Sequence, residues 1–226
     1  MNVRGKRGGA IAVGLFAVST FIYAEPVTVI KFDFEGASFE GASLPCSDTA
    51  GFPYTADTFF YINEGVDTVI TTKRGTEAYV TSDQAVDLNK NREMNYKEGT
   101  YWIFDLIVRD LAEGEKLNLT AFDYTYRGDR SWYFRTALLS SVDGFGKGKE
   151  LVDYLDINNK TDEKGYTYIP PTTLHTDLSE NQGFQGLENE DVIKFRIYIG
   201  DRAKGTARLH IVDNVVVTGE VVSKAK

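Results

Sequence analysis

The chain has 226 residues, 42% hydrophobic and 13% aromatic, with 25 Lys and Arg against 33 Asp and Glu and a formal net charge of −8. This composition excludes an intrinsically disordered chain, and the length calls for one domain. The negative charge opposes a phosphate backbone and an anionic leaflet alike, so neither nucleic-acid binding nor electrostatic membrane binding is expected.

The first 24 residues read as a secretory signal peptide. Arg4, Lys6 and Arg7 precede residues 10–22, of which ten are apolar, and the run closes at Ala24 before Glu25. A bilayer-spanning helix needs about 20 apolar residues, so this stretch is too short to anchor the chain. The arginines are not adjacent, and Cys46 lies too far downstream for acylation. A secreted or periplasmic protein with no membrane insertion after cleavage is therefore expected. Residues 1–24 hold three basic and no acidic residues, which leaves 22 cations against 33 anions in the mature chain, net −11. One cysteine cannot form an internal disulfide, so stability must come from the core and possible metal. A domain of this size supplies such a core by burying about 70% of its unfolded surface.

From residue 25 to 222 the sequence predicts a single all-β domain, with residues 223–226 a short polar tail. The first run, 27–35, is followed by a polar loop through Pro45, Cys46 and Pro53, and then by weaker runs at 59–63, 68–72 and 78–81. Residues 82–98 have either helical or loop character, with Asn89, Asn91 and Asn95 at the centre. Stronger runs rich in Val, Ile, Thr, Tyr and Phe follow at 100–108, 116–126, 131–142, 151–157, 172–178, 192–199 and 206–222. About ten strands with turn residues between them predict an antiparallel two-sheet β-sandwich. In 192–200, Ile193, Phe195, Ile197 and Ile199 fall on one face and Lys194, Arg196 and Tyr198 on the other. Residues 100–108 are apolar in both phases, as in a central strand covered on both sides.

The last run places Asp213 in phase with Leu209, Ile211, Val215 and Val217. A buried carboxylate must be met by a cation, by N–H donors, or by a bulge that breaks the alternation. Lys31 and Arg196 are alternative partners.

The segments Phe32-Asp33-Phe34-Glu35-Gly36, Ser140-Ser141-Val142-Asp143-Gly144-Phe145, Phe195-Arg196-Ile197-Tyr198 and Val212-Asp213-Asn214-Val215 carry a resemblance spanning nearly the whole mature chain. It resembles exported bacterial jelly-roll domains similar to galactose-binding-like carbohydrate-binding modules and laminin-G or concanavalin-like sandwiches. Members often carry a C-terminal sorting tail of the Pro-Glu-Pro type. This sequence ends Ser223-Lys224-Ala225-Lys226 without one, so surface sorting is not expected. The resemblance implies a jelly-roll fold and a structural calcium ion between the first and last strands, which nominates Asp33, Glu35 and Asp213. Calcium takes six to eight oxygens, and carboxylates with nearby carbonyls would suffice.

Residues 122–135 form the densest aromatic and arginine region. Aromatic rings cover a pyranose face while Arg, Asp and Asn fix its hydroxyls. Strict alternation from Leu117 and Leu119 would send Phe122, Tyr124 and Tyr126 outward, and a bulge near Ala121 would turn them inward. Tyr124, Tyr126, Arg127, Arg130 and Trp132 are the candidate ligand-binding residues, with polysaccharide or glycoconjugate as ligand class. Arg127-Gly128-Asp129 is an adhesion-type tripeptide expected in an exposed turn. Residues 144–150 lack Walker spacing and read as a turn, and residues 156–163 lack EF-hand spacing. His175 and His210 have no zinc-type spacing, and the phase of His210 points it to the surface. No catalytic residues emerge. A non-catalytic carbohydrate-binding module is the expectation, with a structural or surface-assembly protein as alternative and a glycan-active enzyme behind both.

Overall fold

The computed structural model describes residues 21–23, 26–32, 44–45, 59–62, 78–81, 86–87, 94, 96, 101–109, 111–129, 131–201 and 209–224. The described residues form fourteen strands and one 3₁₀ turn. They are β1 (Phe21–Tyr23), β2 (Val27–Phe32), β3 (Leu44–Pro45), β4 (Phe59–Ile62), β5 (Ala78–Thr81), β6 (Val86–Asp87), β7 (Tyr101–Ile107), β8 (Glu115–Asp129), β9 (Phe134–Ser140), β10 (Val152–Asp156), β11 (Lys160–Thr161), β12 (Thr167–Asp177), the turn Gln182–Phe184, β13 (Val192–Asp201) and β14 (Leu209–Lys224). The expected run at 68–72 lies outside the described residues. In the 82–98 segment, β6 is a short strand parallel to β13, the one parallel pairing among the described residues.

Two sheets face each other, as expected for an antiparallel β-sandwich. The first runs β1-β14-β8-β12-β11, with β2 and β5 also on β14; the second runs β10-β9-β13-β7-β4-β3, with β6 on β13. First and last runs are neighbours: β2 lies antiparallel on β14, with Phe32 opposite Val215. β1 also pairs with β14, Phe21 opposite Lys224, although its residues fall in the expected leader. Cleavage after Ala24 would remove that strand.

The core fills the space between the sheets. Phe122 on β8 packs on Phe195 of β13 with ring centroids 4.9 Å apart, and Tyr126 stacks on Phe134 of β9 at 4.4 Å. Phe184, delivered by the 3₁₀ turn, stacks on Phe195 from the other side at 5.7 Å. Burying each such side chain contributes about 1.5–3 kcal/mol.

Two bulges decide which side chains enter that core. Between Ala121 opposite Thr218 and Leu119 opposite Gly219, β8 carries one extra residue. Leu117 and Leu119 are buried before it, and Phe122, Tyr124 and Tyr126 after it. The aromatic row therefore points inward: a single inserted residue flips every following side chain, because the strand period is two. The second bulge lies between Asp213 opposite Thr125 and Val216 opposite Asp123, where Asn214 adopts φ 47°. Asn tolerates this left-handed region better than most side chains.

The second bulge resolves the core carboxylate. Val212, Val215 and Val217 join the core while Asp213 is only half-buried, and its carboxylate accepts the Asn214 backbone N–H at 2.7 Å and the Asn214 side-chain amide at 3.0 Å. The same shift reverses the expectation for His210, which is buried with its ring 5.7 Å from Phe134 rather than on the surface. Arg127-Gly128-Asp129 is likewise not a turn. It is the end of β8, with Gly128 hydrogen-bonded in register between Ile169 and His210.

Candidate functional site

The outward face of the second sheet carries an organised group of polar and aromatic side chains. On β9, Phe134, Thr136 and Leu138 are buried on the core side, while Ala137 and Leu139 belong to a second cluster on the opposite face. On β13 the residues between the core positions turn outward, as their alternation predicts. Tyr198 joins Met94, Ala137 and Leu139 in that second cluster, with Tyr96, Tyr101, Tyr133 and Phe145 packed against it. Tyr198 is therefore covered, and β13 is buried on both sides at that end.

Arg196 holds the aromatic floor together. Its guanidinium lies 3.7 Å from the Phe145 ring centroid and 4.5 Å from that of Tyr101. Such contacts contribute about 0.5–2 kcal/mol each, depending on desolvation. Phe145 reaches this position from the turn at 144–149, where Gly144 (φ 66°) and Phe145 (φ 54°) are both left-handed. This turn matches the sequence reading of 144–150, and it also builds one wall of a cleft.

That cleft, about 450 Å³, is lined by Met94, Tyr96, Arg135, Lys147, Gly148, Glu150 and Asp153. The volume falls in the range of small-molecule sites. Arg135 on β9 forms an ion pair with Asp153 on the adjacent β10, two positions out of direct register. Burial raises the Glu150 carboxyl, but the backbone N–H groups of Gly148 and Glu150, the Tyr96 hydroxyl and the Lys147 charge together hold it below its ordinary value. Tyr96 is pushed far above the usual tyrosine range, by burial first and then by its hydrogen bond to Glu150. Both guanidinium Nε atoms that are buried without an acceptor among the described residues, those of Arg135 and Arg196, belong to side chains on this face. Unsatisfied buried donors destabilise the fold and recur at functional sites.

The residues nominated from the sequence are placed differently. Tyr124 and Tyr126 are fully buried, their hydroxyls bonded to Thr136 at 2.9 Å and to Asp156 at 2.7 Å, so neither offers a stacking surface. Arg127 is half-buried on β8, and Arg130 lies outside the described residues. Trp132 is 65% exposed. Its loop is fastened by Asn159, whose side-chain amide donates to the Trp132 carbonyl at 2.9 Å. Asp33 and Glu35 lie outside the described residues. No group of three His, Cys, Asp or Glu suited to a metal occurs among the described residues, which include Asp213.

Sequence reasoning missed the cleft because its walls come from three distant segments. Arg135 sits at the end of the aromatic and arginine region, three residues after Trp132, and its phase opposite Phe134 and Thr136 was the available signal. Tyr96 and Met94 come from a segment without strand periodicity, and nothing local marks them.

No protein-family model matches the chain, and no curated protein matches it. Among solved structures it is similar to the K3 cleaved adhesin domain of Lys-gingipain from Porphyromonas gingivalis, at 13% identity over 85% of this chain and 98% of that one, with a TM-score of 0.37. It is also similar to a family 27 carbohydrate-binding module of Caldicellulosiruptor saccharolyticus solved with mannohexaose, at 10% identity over 85% and 96% of the two chains and a TM-score of 0.35. A family 11 carbohydrate-binding module from Clostridium thermocellum shows 15% identity over 80% and 96%, with a TM-score of 0.25. At such scores these likenesses assign no function to this chain.

Proposed function

We propose that this protein is an exported, non-catalytic carbohydrate-binding β-sandwich that recognises polysaccharide or glycoconjugate in the cleft on the outward face of its second sheet. The observation that carries this reading is the company kept in that cleft. An aromatic ring (Tyr96), a guanidinium (Arg135) and two carboxylates (Glu150, Asp153) line one concave site beside an aromatic cluster. Rings cover the apolar face of a sugar, and charged hydrogen-bonding groups orient its hydroxyls. Exposed Trp132, three residues before Arg135, is proposed as an additional stacking surface. Export rests on the basic and apolar leader.

Calcium is the proposed cofactor, with Asp33, Glu35 and Asp213 as ligands. Supporting it, β2 ends at Phe32 opposite Val215, two residues from Asp213. The fit is partial, since the Asp213 carboxylate already accepts two hydrogen bonds from Asn214. A drop in Tm in EDTA that calcium reverses, and that Asp213→Ala abolishes, is the expected result; an unchanged Tm refutes the metal.

Affinity electrophoresis of the protein through gels containing single soluble polysaccharides tests the main reading. Retardation by at least one of them, lost in Arg135→Ala with the Tm retained, is expected. Free migration through every polysaccharide would refute it.

A further inference from the structure

Resting on the reading of this cleft as a sugar site, we infer that it selects neutral glycans and discriminates against uronic-acid and sulfated ones, because its own two carboxylates already match its two cations in number and one of them holds Arg135 in an ion pair. Two cations and two anions line the cleft, Arg135 and Lys147 against Glu150 and Asp153. Arg135 donates to the Asp153 carboxylate from the neighbouring strand. Lys147 acts on Glu150, which also accepts from the Tyr96 hydroxyl and from two backbone N–H groups.

A carboxylate or sulfate on a sugar brings acceptors only. Bound at an Arg135 donor that Asp153 leaves open, it would set a third negative group beside Asp153 and Glu150, against two cations. Like charges brought together in a partly desolvated site are unfavourable. The chain as a whole, at −8, repels an approaching polyanion. A neutral sugar hydroxyl meets no such conflict, because it both donates and accepts. It can donate to lone pairs of Asp153 and Glu150 that the internal bonds leave open, and accept from Arg135 or Lys147, without bringing a further charge or parting Arg135 from Asp153. The alternation of donors and acceptors around the cleft suits a polyol rather than an anion.

The test is calorimetric titration of the full chain with neutral hexasaccharides of glucose, mannose and xylose and with hexamers of galacturonic and mannuronic acid. Binding of at least one neutral hexamer is expected, with the uronates at least about tenfold weaker. The variant Asp153→Asn releases Arg135 from its partner, so it should weaken neutral binding and strengthen uronate binding by about fivefold or more, provided its Tm shows a folded protein. Uronates binding as tightly as neutral sugars would overturn the inference and leave the sugar site standing. Neutral binding that ignores Asp153→Asn, Glu150→Gln and Arg135→Ala would remove the site from this cleft. If none of the neutral or uronate hexamers tested binds, the carbohydrate reading itself fails, and this inference with it.

Discussion

Removing the Tyr126 hydroxyl should destabilise the fold without touching ligand binding, because this tyrosine is a core residue whose hydroxyl bonds a buried aspartate. Its ring is fully buried against Phe134, and its hydroxyl donates to Asp156 Oδ2 at 2.7 Å, where Asp156 is itself buried at the end of β10. Asp156 Oδ1 accepts the Asn158 backbone N–H at 2.8 Å, so Oδ2 depends on the tyrosine. Tyr126→Phe keeps the ring stacking and deletes one hydrogen bond to a charged acceptor, which is worth about 1.5–3 kcal/mol. In a domain of about 200 residues each kcal/mol shifts Tm by roughly 2–4 °C, so a fall of about 3–12 °C is expected. Differential scanning calorimetry reads the shift, and urea unfolding monitored by circular dichroism gives the free energy independently. Asp156→Asn in the Tyr126→Phe background should lose little more, since the two act on one bond. A Tm within 1 °C of the parent, or a loss of polysaccharide retardation with Tm unchanged, would refute the assignment of Tyr126 to the core.

Three further outcomes follow from the same packing. Gly219→Ala places a Cβ 2.7 Å from the Asn118 carbonyl oxygen and 2.9 Å from Val29 Cγ2. Because the nearest atom is backbone, the strands must part, and equilibrium unfolding should show a loss of about 1–3 kcal/mol. Asn214→Val puts a β-branched residue at φ 47° and should cost about 1–2 kcal/mol, while Asn214→Gly should be tolerated; equal stabilities for the two variants would remove the bulge argument. Tyr96, Tyr124, Tyr126 and Tyr198 all have hydroxyls pushed above the ordinary value of 10.0, chiefly by burial. Their folded pKa values exceed the unfolded ones, so the stability they contribute is intact below pH 10 and is lost as pH rises beyond it. Tyrosinate absorbance from these four should therefore appear together with the loss of circular dichroism; titration near pH 10 in a folded protein would contradict their burial.

Strand positions and fold class were legible from the sequence because they rest on local properties. β5, β7, β9, β10 and β13 fall where β-branched and aromatic runs lie, and the alternation in 192–199 identified the inward set Ile193, Phe195, Ile197 and Ile199. β12 begins earlier than read, at Thr167, with its register broken between Ile169 and Thr172, where Pro170 and Pro171 have no N–H to give. Phase within the two longest strands was not legible. Whether Tyr124 faces solvent or core, and whether Asp213 and His210 do, depends on one extra residue in each of β8 and β14. The sequence admits either a bulge or a continuous ladder there, and only burial of Phe122, Tyr124 and Tyr126 against the opposite sheet decides for the bulge.

The sequence by itself determined the charge, the β-rich pattern, the lack of an internal disulfide and the turn at 144–150. Each follows from composition or from neighbours a few residues apart. The tertiary structure alone decided that this turn, two adjacent strands and residues 94 and 96 share one cleft, and that Arg135 meets Asp153 there. Such groupings depend on strand order and register, which are set by the packing of two whole sheets and have no local signature.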